Sequence, residues 1–310
     1  MPLWCHAVNT PLPDDELMAV AERRWERIHA IRPDLAPALD LQRRLLGIVI
    51  ETTRAIERGR LPRLSLPPRY LAAKLDRGVP MLAGEPIPVP IGVLKTTLLR
   101  LCEALSMGGA GKAASHIAEA IESGTIDAAS LLTSSLARDQ AAIQSGAVHH
   151  GLAPDLTWLV AELAAQPFVY ALQRALLATS GETLFAARDR WKAGYCPACG
   201  SWPALAEVAG GHRLLRCSFC ALGWELTEYC CIYCGDRGES FVTAAPDQER
   251  KDRRLELCAS CGSYLKTVDV EALSPFPLVA IADMETMDLD VAAMEHGYGR
   301  PPLRDFKPSR

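Results

Sequence analysis

The sequence has no apolar run that could cross a bilayer. Its longest stretches, such as Leu278 to Ala282, fall far short of the roughly 18 consecutive apolar residues that a span requires. The start, Met-Pro-Leu-Trp-Cys-His, lacks a basic segment followed by an apolar one. No signal peptide is expected, and the expected compartment is the cytoplasm. Excess positive charge is also lacking, since the formal net charge is −4. Acidic residues outnumber basic ones from Arg190 to Arg310, and thiolates holding divalent ions would add to that balance. This argues against a duplex or RNA backbone as partner, because such binding rests on basic surfaces. No Ser-His-Asp order, P-loop or Gly-x-Gly-x-x-Gly emerges, so no catalytic constellation is read and no enzyme is expected. Aromatics are scarce at 6%, although hydrophobic residues make up 49%. An apolar stock of mainly Ala and Leu favours helices packed on helices.

The chain has 310 residues, and at about 100–200 residues per domain two domains are expected. The predicted fold class is α+β: an N-terminal all-α domain over residues 1–190, then a small metal region over residues 191–310 with short antiparallel strands. Leu41, Leu45, Ile48, Val49, Thr52 and Ile56 follow helical spacing, with Gly59 as the stop. Leu94, Leu98, Leu101, Cys102 and Leu105 form a second stripe, which makes Cys102 a small buried hydrophobe. A third helix starts at Asp155 and turns Trp158, Leu159 and Leu163 inward, with Pro167 ending or kinking it. Further helices are predicted near 14–32, 110–123, 125–144 and 168–179. Residues 61–90 hold seven of the 22 prolines and are predicted as a loop, because proline fixes φ and donates no hydrogen bond. Asp283–Glu295 reads as a helical stretch before a proline-rich end.

Nine of the 11 cysteines lie between Cys196 and Cys261, and only Cys5 and Cys102 lie outside. A reducing compartment disfavours disulfides, so the clustering points to metal. Four Cys-x-x-Cys hooks stand out: Cys196/Cys199, Cys217/Cys220, Cys231/Cys234 and Cys258/Cys261. Two intervening residues let a tight turn aim both sulfurs at one ion, and a second hook completes the tetrahedron that zinc and iron accept. Gly200, Gly235 and Gly262 follow three of the hooks, where a positive φ is expected.

Seventeen residues separate Cys199 from Cys217, and 23 separate Cys234 from Cys258. Each interval fits a hairpin or short meander, with strand material in Trp202–Val208, Arg213–Leu215 and Trp224–Thr227. This favours pairing hook one with two (196–220) and three with four (231–261), as an internal duplication. An interleaved arrangement, one with three and two with four, stays open. Cys230 has Tyr233 where a partner would stand and is read as filling a gap or lying idle rather than binding metal. His212 is assigned to the surface, the pair His149–His150 to a loop, and Arg250–Arg254 to a solvated loop.

The segments Tyr195-Cys-Pro-Ala-Cys-Gly-Ser-Trp-Pro203, Leu215-Arg-Cys-Ser-Phe-Cys220 with Trp224, Cys231-Ile-Tyr-Cys234 and Cys258-Ala-Ser-Cys-Gly-Ser-Tyr-Leu-Lys266 resemble the bacterial formate dehydrogenase accessory protein FdhE family. Ala282-Asp-Met-Glu-Thr-Met-Asp-Leu-Asp290 and Glu295-His-Gly-Tyr298 resemble its carboxyl end. The resemblance implies a cytoplasmic accessory factor with two rubredoxin-like iron sites, zinc being the alternative occupant. It implies binding to the catalytic (alpha) subunit of a respiratory formate dehydrogenase during assembly. The metal ligands it implies are Cys196, Cys199, Cys217, Cys220, Cys231, Cys234, Cys258 and Cys261. Two other readings stay open: a rubredoxin-type electron carrier, and a zinc-ribbon nucleic-acid binder that the acidic balance disfavours.

Overall fold

The computed structural model describes residues 12–304, except 60, 63, 65, 179, 180, 227 and 246–249. Cys5, Thr227 and the last residues of the tail lie outside the described residues. The chain divides into two compact units. One is built mainly from Met18–Ser65 and Leu82–Leu176, the other mainly from Leu66–Met81 and Leu177–Arg304.

The first unit is helical: α1 (Asp14–Ile31, whose first residues to Leu17 are counted with the second unit), α2 (Ala36–Arg58), α4 (Ile91–Leu105), α5 (Gly111–Glu122), α6 (Ala128–Leu136), α7 (Gln140–His149) and α8 (Pro154–Ala178). The predicted stripes form its centre. Ile48, Val49, Thr52 and Ile56 of α2 are buried, and so are Leu94, Leu98, Leu101, Cys102 and Leu105 of α4. A hydroxyl pair, Thr52 Oγ1 to Thr97 Oγ1 at 2.9 Å, satisfies the two polar groups on that seam.

Several expectations need correction. Residues 125–144 are two helices rather than one, because Arg138 takes φ +59° and Asp139 caps the second through Ala142 N–H at 3.1 Å. His149 ends α7 and so belongs to a helix rather than a loop. Pro167 does not end α8, which runs on to Ala178. A missing N–H and a ring clash cost about 3 kcal/mol, and buried neighbours on both sides, Ala164, Ala165, Phe168 and Val169, offset that cost. Leu159 faces solvent, 39% exposed, while Val160 and Ala161 are buried. The inward stripe of α8 is therefore shifted from the predicted one.

The second unit contains α3 (Pro68–Asp76), α9 (Glu182–Asp189), strands β1 (Pro203–Ala209), β2 (His212–Cys217), β3 (Gly223–Glu225), β4 (Phe241–Ala244), β5 (Arg253–Cys258) and β6 (Ser263–Asp269), and helices α10 (Val279–Glu285) and α11 (Met287–Glu295). Helix α3 corrects the reading of 61–90 as a loop throughout. Pro68 sits in its first turn, where a missing N–H costs nothing, and no further proline follows until Pro80. It packs on α9, with Leu71, Leu75, Leu184 and Ala187 buried. The Asp283–Glu295 stretch is two helices, broken at Thr286. Arg253 and Arg254 are strand residues paired with Asp288 and Asp269, not parts of a solvated loop.

The six strands form one sheet in the order β3-β2-β1-β6-β5-β4. Within β1-β2-β3 and within β4-β5-β6 every pairing is antiparallel, and β1 joins β6 in parallel. Each half runs hook, strand, strand, hook, strand. Like strands in the two halves therefore point the same way, and the duplication repeats along the sheet. Helix α10 packs on β1, and α11 packs on β5 and β6. Leu255 and Tyr264 of the sheet meet Leu289 and Ala293 of α11 in one apolar cluster.

Candidate metal centres

Each hook is a local turn whose backbone determines where its sulfurs go. Gly200 N–H donates to Cys196 O at 2.9 Å, Ala221 N–H to Cys217 O at 3.2 Å, and Gly235 N–H to Cys231 O at 2.8 Å. The chain then doubles back, so that Cys196 N–H reaches Ser201 O, Cys217 N–H reaches Leu222 O, and Cys231 N–H reaches Asp236 O. The reversal needs a left-handed residue after the second cysteine. Gly200, Gly235 and Gly262 supply it with φ of +84°, +81° and +65°. In hook two Ala221 takes the same conformation at φ +55°, although a side chain there is disfavoured. Sequence reading missed this position, since no glycine marks it.

The structure brings together the sulfurs of Cys196, Cys199, Cys217 and Cys220, and separately those of Cys231, Cys234, Cys258 and Cys261. Hook one thus meets hook two, and hook three meets hook four. In the first group Cys196–Cys220 is 3.6 Å, Cys199–Cys217 3.5 Å and Cys199–Cys220 3.7 Å. In the second, Cys231–Cys261 and Cys234–Cys258 are both 3.6 Å. Four thiolates about 2.3 Å from a central ion stand about 3.8 Å apart, so both groups fit one tetrahedral ion each. Disulfides would need sulfurs about 2.05 Å apart. The donor set, four soft sulfurs, suits zinc or iron and not a hard cation.

Backbone amides stabilise charge on sulfur: Phe219 N–H and Cys220 N–H point at Cys217 Sγ at 3.4 and 3.3 Å. Burial pushes the thiols of Cys196 and Cys220 well above the ordinary cysteine range. A cation among them is what would hold them as thiolates. Burial also raises Cys231. At Cys261 burial pushes upward too, but hydrogen bonds from Ser263 and the neighbouring thiols bring it below the ordinary value.

The other candidates fall elsewhere. Cys230 is half-buried and belongs to neither sulfur group. Cys102 is buried in α4. His212 lies on the surface with its ring beside Glu225 Oε1 at 3.1 Å. His149 and His150 stack edge to face at 4.9 Å.

Sequence reading missed the polar frame that holds the modules. Arg216 and Glu207 are an ion pair with both side chains fully buried. Arg216 donates to Ser274 O at 2.6 Å, and Ser274 N–H donates to Glu207. The pair thereby ties the chain leaving β6 to the first module. In the second module, buried Lys266 reaches Asp283 and Asp290 at 2.6 Å each, and Arg300 bridges the same two carboxylates at 3.0 Å each. Arg216, Lys266, Asp283 and Asp290 sit in the segments that carry the family resemblance, whereas Glu207, Ser274 and Arg300 lie outside them and carried no signal.

No family model matches the chain. Over 136 residues it is 26% identical to "Protein FdhE homolog" of Aquifex aeolicus, covering 42% of this chain and 48% of that protein. Over 116 residues it is 32% identical to "Protein FdhE" of Escherichia coli O127:H6, covering 36% of this chain and 37% of that protein. The chain thus matches less than half the length of these relatives. The crystal structure of the FdhE protein from Pseudomonas aeruginosa superposes with a TM-score of 0.57 at 22% identity, covering 96% of this chain and 98% of that one. The shared fold spans nearly the whole chain, and the curated proteins it resembles in sequence carry the FdhE name. Among the described residues no helix is long and apolar enough to cross a membrane.

Proposed function

We propose that this chain is a non-catalytic accessory protein of a respiratory formate dehydrogenase, binding its catalytic (alpha) subunit in the cytoplasm during maturation. The observation that carries this reading is the pair of four-sulfur groups on one duplicated sheet, built from the cysteine segments that resemble the FdhE family. In this reading Cys196, Cys199, Cys217 and Cys220 hold one ion, and Cys231, Cys234, Cys258 and Cys261 hold the other. Iron is the expected occupant and zinc the alternative. The ions cross-link each pair of hooks, and iron would add a one-electron couple with little movement of its ligands. In this reading the chain has a helical part (1–190) and a metal part (191–310), and α3 and α9 of the former fold in one compact unit with the latter. The partner reading is tested by co-purification at native expression. The tagged chain should carry the formate dehydrogenase catalytic subunit, and failure to do so under oxygen-free conditions counts against it.

The exposure of Cys234 and Cys261 favours one second reading, rubredoxin-type electron transfer. A reversible potential in the iron-loaded protein supports it, and zinc in both centres of the native protein ends it.

A further inference from the structure

The two sulfur groups stand on equivalent parts of a duplicated sheet, yet their cover differs. All four sulfur residues of the first group are buried. In hook one Pro197 and Ala198 are buried too, and Pro197 O accepts a hydrogen bond from Met81 N–H at 2.8 Å. In hook two Phe219 is 1% exposed, and Ala221 and Leu222 behind it are buried. In the second group only Cys231 and Cys258 are buried, while Cys234 and Cys261 are exposed.

The hooks also differ in sequence at one equivalent position. Phe219 and Ser260 occupy the same place in their hooks, just before the second cysteine. Where Phe219 puts a ring, Ser260 puts a hydroxyl that hydrogen-bonds outward to Asp236 Oδ2. Its neighbours Gly235, Ala259 and Gly262 are exposed and too small to shield a sulfur.

We propose that the two centres differ in exchange. Cys231, Cys234, Cys258 and Cys261 form a site for a thiophilic divalent ion that trades its ion with solution while the chain stays folded. The centre of Cys196, Cys199, Cys217 and Cys220 keeps its ion as long as the fold persists. The inference rests on the reading of both groups as metal centres and adds which of them responds to metal supply. Exchange is ligand substitution: metal–sulfur bonds break, bonds from the incoming chelator form, and the freed thiolates take protons from water. Cys234 and Cys261 are where a chelator can enter, since attack on a centre needs access to its sulfurs. Phe219 and the packed first hook deny that access to the other group.

The test uses the full chain loaded with two equivalents of zinc and challenged with excess EDTA. Release should come in two phases of one equivalent each, the faster by about tenfold or more. Far-ultraviolet circular dichroism should be largely retained when the fast phase ends. Iodoacetamide added at that point should modify Cys231, Cys234, Cys258 and Cys261 and spare the other four, as read by mass spectrometry. Ser260→Phe should slow the fast phase and leave the slow one unchanged. If that variant does not fold, the labelling pattern of the unaltered protein decides. Release of both equivalents at one rate, or fast release that frees Cys196, Cys199, Cys217 and Cys220, overturns the inference and leaves the metal-centre reading intact. Failure to take up zinc or iron overturns both.

Discussion

Lys266 Nζ lies 2.6 Å from Asp290 Oδ2, with the lysine side chain fully buried and the aspartate 17% exposed. The pair ties β6, the strand that follows the fourth hook, to α11. Tyr264 Oη also donates to Asp290, at 2.6 Å. Burial pushes the neighbouring Asp283 carboxyl upward, but the charges of Lys266 and Arg300 outweigh it and hold the group below the usual carboxylate range. Asp290→Ala leaves a buried ammonium short of one partner. The expected loss is about 3–5 kcal/mol, measured as a lower denaturant midpoint in the metal-loaded chain.

Removal of one sulfur should cost one centre and spare the other. Cys199→Ser is expected to bind one equivalent of metal where the unaltered chain binds two, by elemental analysis. The first module should lose its hydrogen-exchange protection, because ion binding contributes roughly 10–16 kcal/mol in small zinc modules. Unchanged stoichiometry would contradict the assignment of Cys199.

Gly194, ahead of hook one, has no room for a side chain. A Cβ there would stand 1.9 Å from Ile232 O and 2.6 Å from its carbonyl carbon, and backbone cannot step aside as a flexible side chain can. Ile232 lies within hook three, so the clash acts on the second centre. Gly194→Ala should destabilise by about 1–3 kcal/mol and weaken metal binding at Cys231 and Cys234. Titration with a chromophoric chelator would show the second equivalent weakened and the first unaffected.

Cys102 gives a pH signature in the helical unit. Burial pushes its thiol up to about 12. The folded state therefore keeps a proton that the unfolded chain releases near its ordinary value. The contribution is complete below about pH 9 and is lost as the pH rises toward 12. Across that window the denaturation midpoint of the unaltered protein should fall more steeply than that of Cys102→Ala. At neutral pH the native protein should leave Cys102 unalkylated.

The features legible in the sequence were those with local causes. Cys196 and Cys199, or Cys258 and Cys261, share one turn, so their spacing alone states that two sulfurs converge. Gly200, Gly235 and Gly262 mark the left-handed residue that closes the turn. The stripes of α2 and α4 were legible because burial on one face repeats with the helical period. Where packing overrode local preference, reading failed. Leu159 faces out because the inward stripe is shifted, and of the two outcomes expected at Pro167, ending or kinking, the helix end does not occur.

From the sequence alone came the donor set, its count and its tetrahedral preference, since these follow from residue types three positions apart. The tertiary structure decided which hooks meet, that β1 and β6 fuse the two halves into one sheet, and that Cys234 and Cys261 face solvent while Cys196 and Cys220 do not. Those outcomes depend on residues distant in the chain, Met81 against Pro197 and Lys266 against Asp290. No local periodicity records such contacts.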